Sequence, residues 1–386
     1  MTIDWTSLES HVLCNPTYSV NRQKEYHKLL EVASSYRGHV WLSTSGSTSQ
    51  KWVGLSKEAL LASASGVNQH LLATAKDRWV TALPDFHVGG LGIWARAYLS
   101  RAPVFDFKSV NGGKWHASLF SAFLEGVKGS LTSLVPAQLH DLIQLGMAAP
   151  PSLRAVIIGG GKLMPELYAK AVELGWPVLP SYGLTECASQ VATAALGSWK
   201  AGLECPTLEL LPHMRGEEQG GRLAFKGPSL LSAYAHFEPG GIRLSDPKVN
   251  GWLVSEDRGE IQGTGLSVFG RSDACIKIGG ESVDLACLEA HLQSLALKAD
   301  FRGEVTLVAL PDSRLGNVLH LAAAKADIFA LQEIIDRFQK SVLPFEKIRA
   351  VCHLPYFPRS ALSKILKNEL QAMVRERQNV ILPWRS

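Results

Sequence analysis

The sequence predicts an α/β protein: a large N-terminal domain of mainly parallel α/β sheet with a small β subdomain, followed by a small α+β C-terminal domain. Three observations carry this reading. Short apolar runs alternate with stretches of helical period over residues 40–174, which is the rhythm of strands joined by crossover helices. From about Thr207 the pattern becomes short strands and glycine-rich turns, as in Gly220-Gly221-Arg222-Leu223-Ala224-Phe225 and Gly259-Glu260-Ile261-Gln262-Gly263, which predicts a compact β subdomain. A new unit with its own helices and strands starts near Gly270.

In chain order, Val40–Leu42 reads as a strand, Lys57–Ala75 as a helix, Trp79–Leu83 as a strand and Leu91–Leu99 as a helix. Leu131–Val135 is a short strand stopped by Pro136, and a helix follows from about Ala137 to Leu145. Leu153–Ile158 is a strand, and Pro165–Leu174 is a helix opened by its proline, whose fixed φ suits a first helical turn. In the last unit Asp284–Leu295 and Ile328–Ser341 read as helices, and Glu304–Ala309 and Leu319–Ala324 as strands.

Composition narrows the function. With 386 residues, 46% of them hydrophobic and 19% charged, the chain has ample apolar material for a core, which argues against disorder. The net charge of +4 is small, and its cations are scattered among acids, which argues against a nucleic-acid surface and leaves anionic small molecules as ligands. Cys14, Cys187, Cys205, Cys275, Cys287 and Cys352 form no CxxC pair or zinc spacing and read as free thiols of a reducing cytoplasm. Met1-Thr2-Ile3-Asp4-Trp5 opens no basic-then-apolar leader, and no apolar run approaches the roughly 20 residues needed to span a bilayer. A cytoplasmic protein without membrane insertion is expected; self-association into a homo-oligomer is left open.

Ser43-Thr44-Ser45-Gly46-Ser47-Thr48-Ser49-Gln50-Lys51 gathers hydroxyls, a glycine and a lysine after a strand. Free N–H groups, hydroxyls and an ammonium are the donors of a polyphosphate cradle, although the same residues also make ordinary surface turns. The spacing is not that of a Walker P-loop, and Gly159-Gly160-Gly161-Lys162, after the strand Ala155–Ile158, departs from it too. Ser181-Tyr182-Gly183-Leu184-Thr185-Glu186 sets an aromatic ring, a glycine, a hydroxyl and a carboxylate beyond the strand-like Pro177-Val178-Leu179. Such a set can stack a base, touch a phosphate and hold Mg²⁺. Phe269-Gly270-Arg271-Ser272-Asp273 with Ile276-Lys277-Ile278-Gly279-Gly280-Glu281, and Pro358-Arg359-Ser360-Ala361-Leu362-Ser363-Lys364-Ile365, complete the set; each alone could be a turn with a solvated cation.

Together and in this order the motifs resemble those of the acyl-adenylate-forming ligases, the family of acyl-CoA synthetases, nonribosomal adenylation domains and luciferases, and the resemblance runs from about Val40 to Leu370. It implies ATP, Mg²⁺ and the co-substrate CoA: a carboxylate attacks the α-phosphorus of ATP, pyrophosphate leaves, and CoA displaces AMP from the acyl-adenylate. Carried over residue by residue, Thr44, Ser45, Gly46, Ser47, Thr48 and Lys51 hold the β- and γ-phosphates, Thr185 contacts the phosphate chain and Glu186 holds Mg²⁺. Tyr182, followed by Gly183, stacks on adenine beside Gly159, Gly160 and Gly161; Asp257 binds the ribose with Arg271 nearby; Lys364 bridges the acyl carboxylate and α-phosphate. The family's C-terminal domain is mobile. The boundary therefore falls between an adenylation domain, 1–271, and a mobile domain, 272–386, hinged at Ser272 and Asp273, so that Gly279 and Gly280 approach the pantetheine tunnel and Lys277 swings toward the site. A surface role for Lys277 stays open.

Within the family, LPDFHVGGLGI, SLVPAQLHDLI, LRAVIIGGGKLMPELYAKA and PSYGLTECASQ look most like the o-succinylbenzoate:CoA ligases. The resemblance then sets His87, Gln138, Ser181, Ser189 and Gln190 along the pocket of a small carboxylic acid, with structural roles open for His87 and a capping role for Gln138. No arginine in these segments stands out as a carboxylate clamp. Departures from the family pattern are Ser49 for a glycine, a lost proline before Lys51, Glu256 for a glycine before Asp257, Ser363 for the glycine before Lys364, and a short segment, 1–42, before the loop, where part of the usual N-terminal sheet must be missing or replaced. Other aryl- or acyl-CoA ligases, and a degenerate nucleotide-binding module without turnover, are the alternatives; retention of Thr185, Glu186, Asp257, Arg271 and Lys364 argues against the latter.

Overall fold

The apolar runs of the first half become the middle of an eleven-stranded sheet in a computed structural model that describes residues 3–16, 20–43, 51–238, 240–271, 275–361, 363–377 and 382–383. From one edge, Val104–Asp106, Trp79–Thr81, Leu131–Leu134, Ala155–Ile158 and Val178–Leu184 run parallel. Every residue of Trp79–Thr81, Leu131–Leu134 and Ala155–Ile158 is buried. Helices that cover both faces of parallel strands leave no solvent face, and so their sequences are continuous apolar runs rather than alternating ones. The connecting helices are Lys57–Leu71, Val88–Ser100, Ala117–Gly126, Pro136–Gln144 and Pro165–Glu173. The sheet continues through Ser189–Ala194, Leu208–Leu210, Gly265–Arg271, Leu253–Gln262, Arg222–Lys226 and Arg215–Gln219, the β-rich stretch of the sequence.

Local chemistry sets the ends. Pro136 and Pro165 open their helices at the first turn, as predicted. The helix from Lys57 begins at Ser56, whose Oγ accepts the Ala59 N–H at 3.0 Å, and stops earlier than the predicted Ala75 because Leu72 turns left-handed (φ 52°) and donates its N–H to the last helical carbonyls. The strand from Trp79 ends at Thr81 rather than Leu83, where the chain turns through Pro84, whose carbonyl accepts the His87 N–H at 3.1 Å.

A second sheet has the order His11–Leu13, His39–Ser43, Lys51–Ser56, Ala233–Glu238, Gly241–Ser245. Trp41, Trp52, Tyr26 and Leu29 fill its core. The serine-rich loop therefore joins two neighbouring antiparallel strands, with Ser43 opposite Trp52, and Lys51 opens a strand that the sequence pattern did not mark. The segment before the loop adds the edge strand His11–Leu13 and the helix Val20–Val32. Lys57 holds that segment: only 2% exposed, its ammonium donates to the Asp4 carbonyl (2.7 Å), the Ser7 carbonyl (2.9 Å) and Ser7 Oγ (3.0 Å), so all three donors of a buried charge are used.

Contacts divide the chain into Met1–Ser255 with Gly259–Ser267, and Glu256–Arg258 with Val268–Ser386. In the second unit the sheet Glu304–Asp312, Gly316–Ala324, Ile348–Leu354, Leu382–Pro383 packs Leu307, Leu319 and Leu321 with Leu292 of helix Leu285–Lys298 and Ile334 and Phe338 of helix Ile328–Ser341. Helix Lys367–Glu376 buries Leu370 and Val374 in a separate cluster with Val308 and Cys352. Ser272 and Asp273, the expected hinge, lie outside the described residues. No helix among the described residues is long and apolar enough to cross a membrane.

Candidate active site

The strand Val178–Leu184 changes partners along its length. Val178–Pro180 pair in parallel with Val156–Ile158, whereas Ser181–Leu184 pair antiparallel with residues of Ser189–Ala194, with a register irregularity between Tyr182 and Gly183. The SYGL segment thus lies inside the strand, not beyond its end as the sequence suggested; a strand that exchanges a parallel for an antiparallel neighbour has no local sequence signature. Open α/β sheets bind ligands at the carboxyl ends of such strands. A Cβ on Gly183 would lie 1.9 Å from the Ser189 carbonyl oxygen, so only glycine fits there. Ala188 (φ 53°) and Ser189 (φ 100°) both take positive φ in the returning turn, a conformation that costs non-glycine residues energy and that clusters at functional sites.

Gly159 follows the neighbouring strand, and a Cβ on it would meet the Ser181 carbonyl at 3.7 Å. Gly160 has φ 76°. The glycine run and Ser181–Tyr182 are therefore side by side, as a shared base-binding ledge requires. The half-buried Tyr182 ring lies 5.9 Å from that of Phe225.

Thr185 and Glu186 occupy a short 3₁₀ turn. The Glu186 carbonyl accepts the Leu231 N–H at 2.7 Å, and its Oε1 accepts the Tyr234 hydroxyl at 3.1 Å. Lys51 Nζ stands 3.5 Å from the same oxygen and 3.9 Å from the Tyr234 ring centre. Lys51 and Glu186, distant in sequence, are thus together. Among the described residues no three acidic, histidine or cysteine side chains gather as a metal cage. One half-buried carboxylate does fit Mg²⁺, which is commonly held by one or two carboxylates together with substrate phosphates. Thr44, Ser45, Gly46, Ser47 and Thr48 lie outside the described residues.

The predicted acyl-pocket residues separate into several roles. Gln190 Nε2 donates to Ser181 Oγ (3.0 Å) and Thr193 Oγ1 (2.6 Å), so Ser181 and Gln190 form one buried polar knot. Gln138 Oε1 accepts the Val135 N–H at 3.1 Å, and that atom is used as a helix cap. His87 precedes the helix Val88–Ser100 without a side-chain cap, its ring 4.7 Å from that of Phe86.

Ser189 leads to the residue that sequence reasoning missed. Arg96, 2% exposed, reaches Ser189 Oγ at 3.3 Å and Ser133 Oγ at 3.4 Å, both long, and its Nε has no partner. Burial pushes its pKa down to about 9. No carboxylate forms an ion pair with it among the described residues, although buried cations are ordinarily paired. The side chains of Thr81 and Ser133, register partners on neighbouring parallel strands, project from one face, and Thr81 Oγ1 is also unpartnered. The guanidinium is thus buried with long hydroxyl contacts, the Trp79 ring centre 5.7 Å away and no carboxylate partner among the described residues. The available signal was a lone arginine in the apolar helix VGGLGIWARAYLS. Nearby His213, packed against Gly66, has its pKa pushed down to about 4, mainly by burial, against the Gln190 main chain and with the Arg96 charge adding to the effect.

In the second unit Asp257 is buried on Leu253–Gln262, and Arg271 ends Gly265–Arg271. Lys364 sits in a loop closed by the Ser360 N–H to the Lys364 carbonyl (2.8 Å) and the Arg359 guanidinium to the Ser363 carbonyl (2.6 Å); Arg359 also pairs with Glu304. Ser363, standing where the family pattern has glycine, is left-handed (φ 57°). Burial, and then the Arg271 guanidinium, hold the Lys364 ammonium below the usual lysine range. Lys277 is exposed, with Nζ 3.4 Å from the Gly280 carbonyl, and Gly279 (φ 61°) and Gly280 (φ 91°) make the tight turn between Cys275–Ile278 and Glu281–Asp284.

Known proteins share both sequence and fold with this chain. A 2-succinylbenzoate–CoA ligase of Bacillus cereus is 28% identical over 378 residues, covering 94% of this chain and 76% of that protein. One of Enterococcus faecalis is 28% identical over 351 residues, covering 86% and 69%. The structure of o-succinylbenzoate CoA synthetase from Bacillus subtilis in complex with its acyl-adenylate intermediate has a TM-score of 0.71 at 25% identity, covering 86% of this chain and 68% of that one. ATP-bound MatB from Rhodopseudomonas palustris shares the fold, with a TM-score of 0.70 at 19% identity over 88% of this chain and 68% of that one. The sequence model for AMP-binding enzymes matches residues 39–235, half of the chain and the part that carries Lys51, the glycine run, the partner-switching strand and Glu186, and on that match the chain belongs to the AMP-binding enzyme family.

Proposed function

We propose that this protein is an AMP-forming acid:CoA ligase that converts 2-succinylbenzoate to its CoA thioester through an acyl-adenylate, with ATP, Mg²⁺ and CoA. Family membership and relatives named for this activity support the reaction class. The observation that carries the substrate is Arg96. A monocarboxylic acid presents its only charge to the reacting end, leaving the buried guanidinium with hydroxyls and the Trp79 ring but no anion. A dicarboxylic acid brings a second charge that can end on Arg96, beside Ser189 and Ser133.

In the adenylating half-reaction the substrate carboxylate oxygen bonds to the α-phosphorus and pyrophosphate leaves. Glu186 is the residue that would hold Mg²⁺, which neutralises phosphate charge. Lys51 and the hydroxyl-rich loop grip the leaving pyrophosphate, Thr185 orients the phosphate chain, and Tyr182 with Gly183 and Gly159–Gly161 takes the base. Asp257 and Arg271 bind the ribose side. Lys364 offsets the charge of the joining carboxylate and phosphate, a role that suits an ammonium lowered in pKa by burial and the Arg271 charge and so stabilised by arriving anions. In the second half-reaction CoA thiolate attacks the acyl carbon and AMP leaves, with Lys277, Gly279 and Gly280 moving to the pantetheine side about the hinge at Asp273.

Acid-dependent ATP–pyrophosphate exchange tests this reading. 2-Succinylbenzoate is expected to support exchange far better than benzoates or fatty acids, and Arg96→Met to raise its KM about tenfold or more while scarcely changing the weak rate with benzoate. Exchange with monocarboxylic acids alone would overturn the substrate, and no exchange with any acid would overturn the ligase.

A further inference from the structure

We propose that Tyr234 is a positioning residue for the adenylating metal, acting through Glu186, and that Lys51 holds the metal's place on Glu186 until the nucleotide arrives. The inference rests on the adenylation reading above and adds to it a residue outside every sequence motif. Tyr234 lies on Ala233–Glu238, directly beside Lys51–Ser56: His236 is opposite Lys51 and Tyr234 opposite Val53. The segment leading into this strand fixes Glu186 twice, through the Leu231 N–H on its carbonyl at 2.7 Å and through the Tyr234 hydroxyl on Oε1 at 3.1 Å. Backbone and carboxylate are therefore set by one short stretch of chain, and the carboxylate cannot rotate freely. That is what an oxygen ligand to a small cation with strict octahedral demands requires.

The same tyrosine presents its ring face to the ammonium. Lys51 Nζ lies 3.9 Å from the ring centre and 3.5 Å from Glu186 Oε1. The second distance is well beyond the short contact of a charge-assisted hydrogen bond, so the ammonium neutralises the half-buried carboxylate without being locked to it. A divalent cation at this oxygen competes directly with that ammonium. Displaced, Lys51 stays on its strand end and turns to the phosphates that arrive with the metal. The apo site thereby keeps the Glu186 carboxylate oriented, with an ammonium beside it.

Calorimetric titration with ATP, with Mg²⁺ or with EDTA, separates these roles from turnover. Tyr234→Phe, which keeps the ring under Lys51 and removes only the hydroxyl, is expected to lose much of the Mg²⁺-dependent tightening of ATP while leaving metal-free ATP affinity unchanged. Adding it to Glu186→Gln should cost nothing further. In exchange assays it should raise the Mg²⁺ concentration for half-maximal rate about tenfold, with kcat restored at saturating Mg²⁺. Lys51→Met should tighten Mn²⁺ binding to the nucleotide-free protein, read by electron paramagnetic resonance. An unchanged Mg²⁺ requirement, an equal loss of ATP affinity with and without metal, or a kcat that Mg²⁺ does not restore overturns the role of Tyr234; unchanged Mn²⁺ binding in Lys51→Met overturns the place-holding role. Wild-type protein that binds ATP with no dependence on Mg²⁺ would instead count against the ligase reading itself.

Discussion

Lys364 carries a charge that the fold disfavours. Burial and the neighbouring Arg271 both lower its pKa, so the deprotonated amine sets in below the usual lysine range, and adenylation should lose its alkaline limb at a pH lower than about 10.4. A bound acid and nucleotide place anions near the ammonium, so the limb in kcat should lie at higher pH than that in kcat/KM. Lys364→Ala should abolish exchange yet spare CoA transfer from preformed acyl-AMP; equal loss of both would refute its role. His213 makes a stability prediction. Its folded pKa of about 4 lies below the ordinary 6.5, so the unfolded chain binds more protons between those values and stability falls as pH drops through that window. His213→Gln should flatten the dependence of the melting temperature on pH between 6.5 and 4. Neither residue's environment was legible locally. Lys364 was found by its motif, whereas Arg96 and His213 draw their character from residues far away in sequence, namely Ser133, Ser189, Gln190 and Gly66.

At the scale of elements, the strand Val178–Leu184 and its return carry the candidate site, and Gly183 is their tightest point. A methyl at 1.9 Å from the Ser189 carbonyl cannot be absorbed by a side chain, since the obstacle is backbone. Gly183→Ala should therefore cost about 1–3 kcal/mol by chemical denaturation, and it should lower exchange even at temperatures where the variant stays folded, because Tyr182 and Thr185 flank the shifted position. The helices opened by Pro136 and Pro165 and the buried strands were legible beforehand, since prolines and continuous apolar runs act over a few residues. The sequence pattern did not reveal that the strand continues through SYGL, that His39–Ser43 and Lys51–Ser56 pair antiparallel, or that His11–Leu13 and Val20–Val32 belong with that sheet. Those features depend on which partner a strand finds, and partners lie at long range.

At the scale of the whole molecule, the two contact units each hold their own apolar clusters: Trp79, Leu131 and Ile157 belong to one set, and Leu307, Ile334 and Phe338 to another. Separate cores melt separately unless strongly coupled. Scanning calorimetry should show an enthalpy larger than the van't Hoff value, resolving into two transitions, and MgATP should raise the one that belongs to the unit carrying Glu186. A single two-state transition would contradict this. Composition and the alternation of apolar runs were enough by themselves to determine the α/β class, and the ordered motifs, through their resemblance to a known family, pointed to the AMP-binding enzymes, because these signals are written in local spacing. The tertiary structure alone decided that Lys51 and Tyr234 meet at one oxygen of Glu186 and that Arg96 is buried with no carboxylate partner among the described residues. Charge pairing is settled by distances across strands and helices, and sequence separation does not measure them.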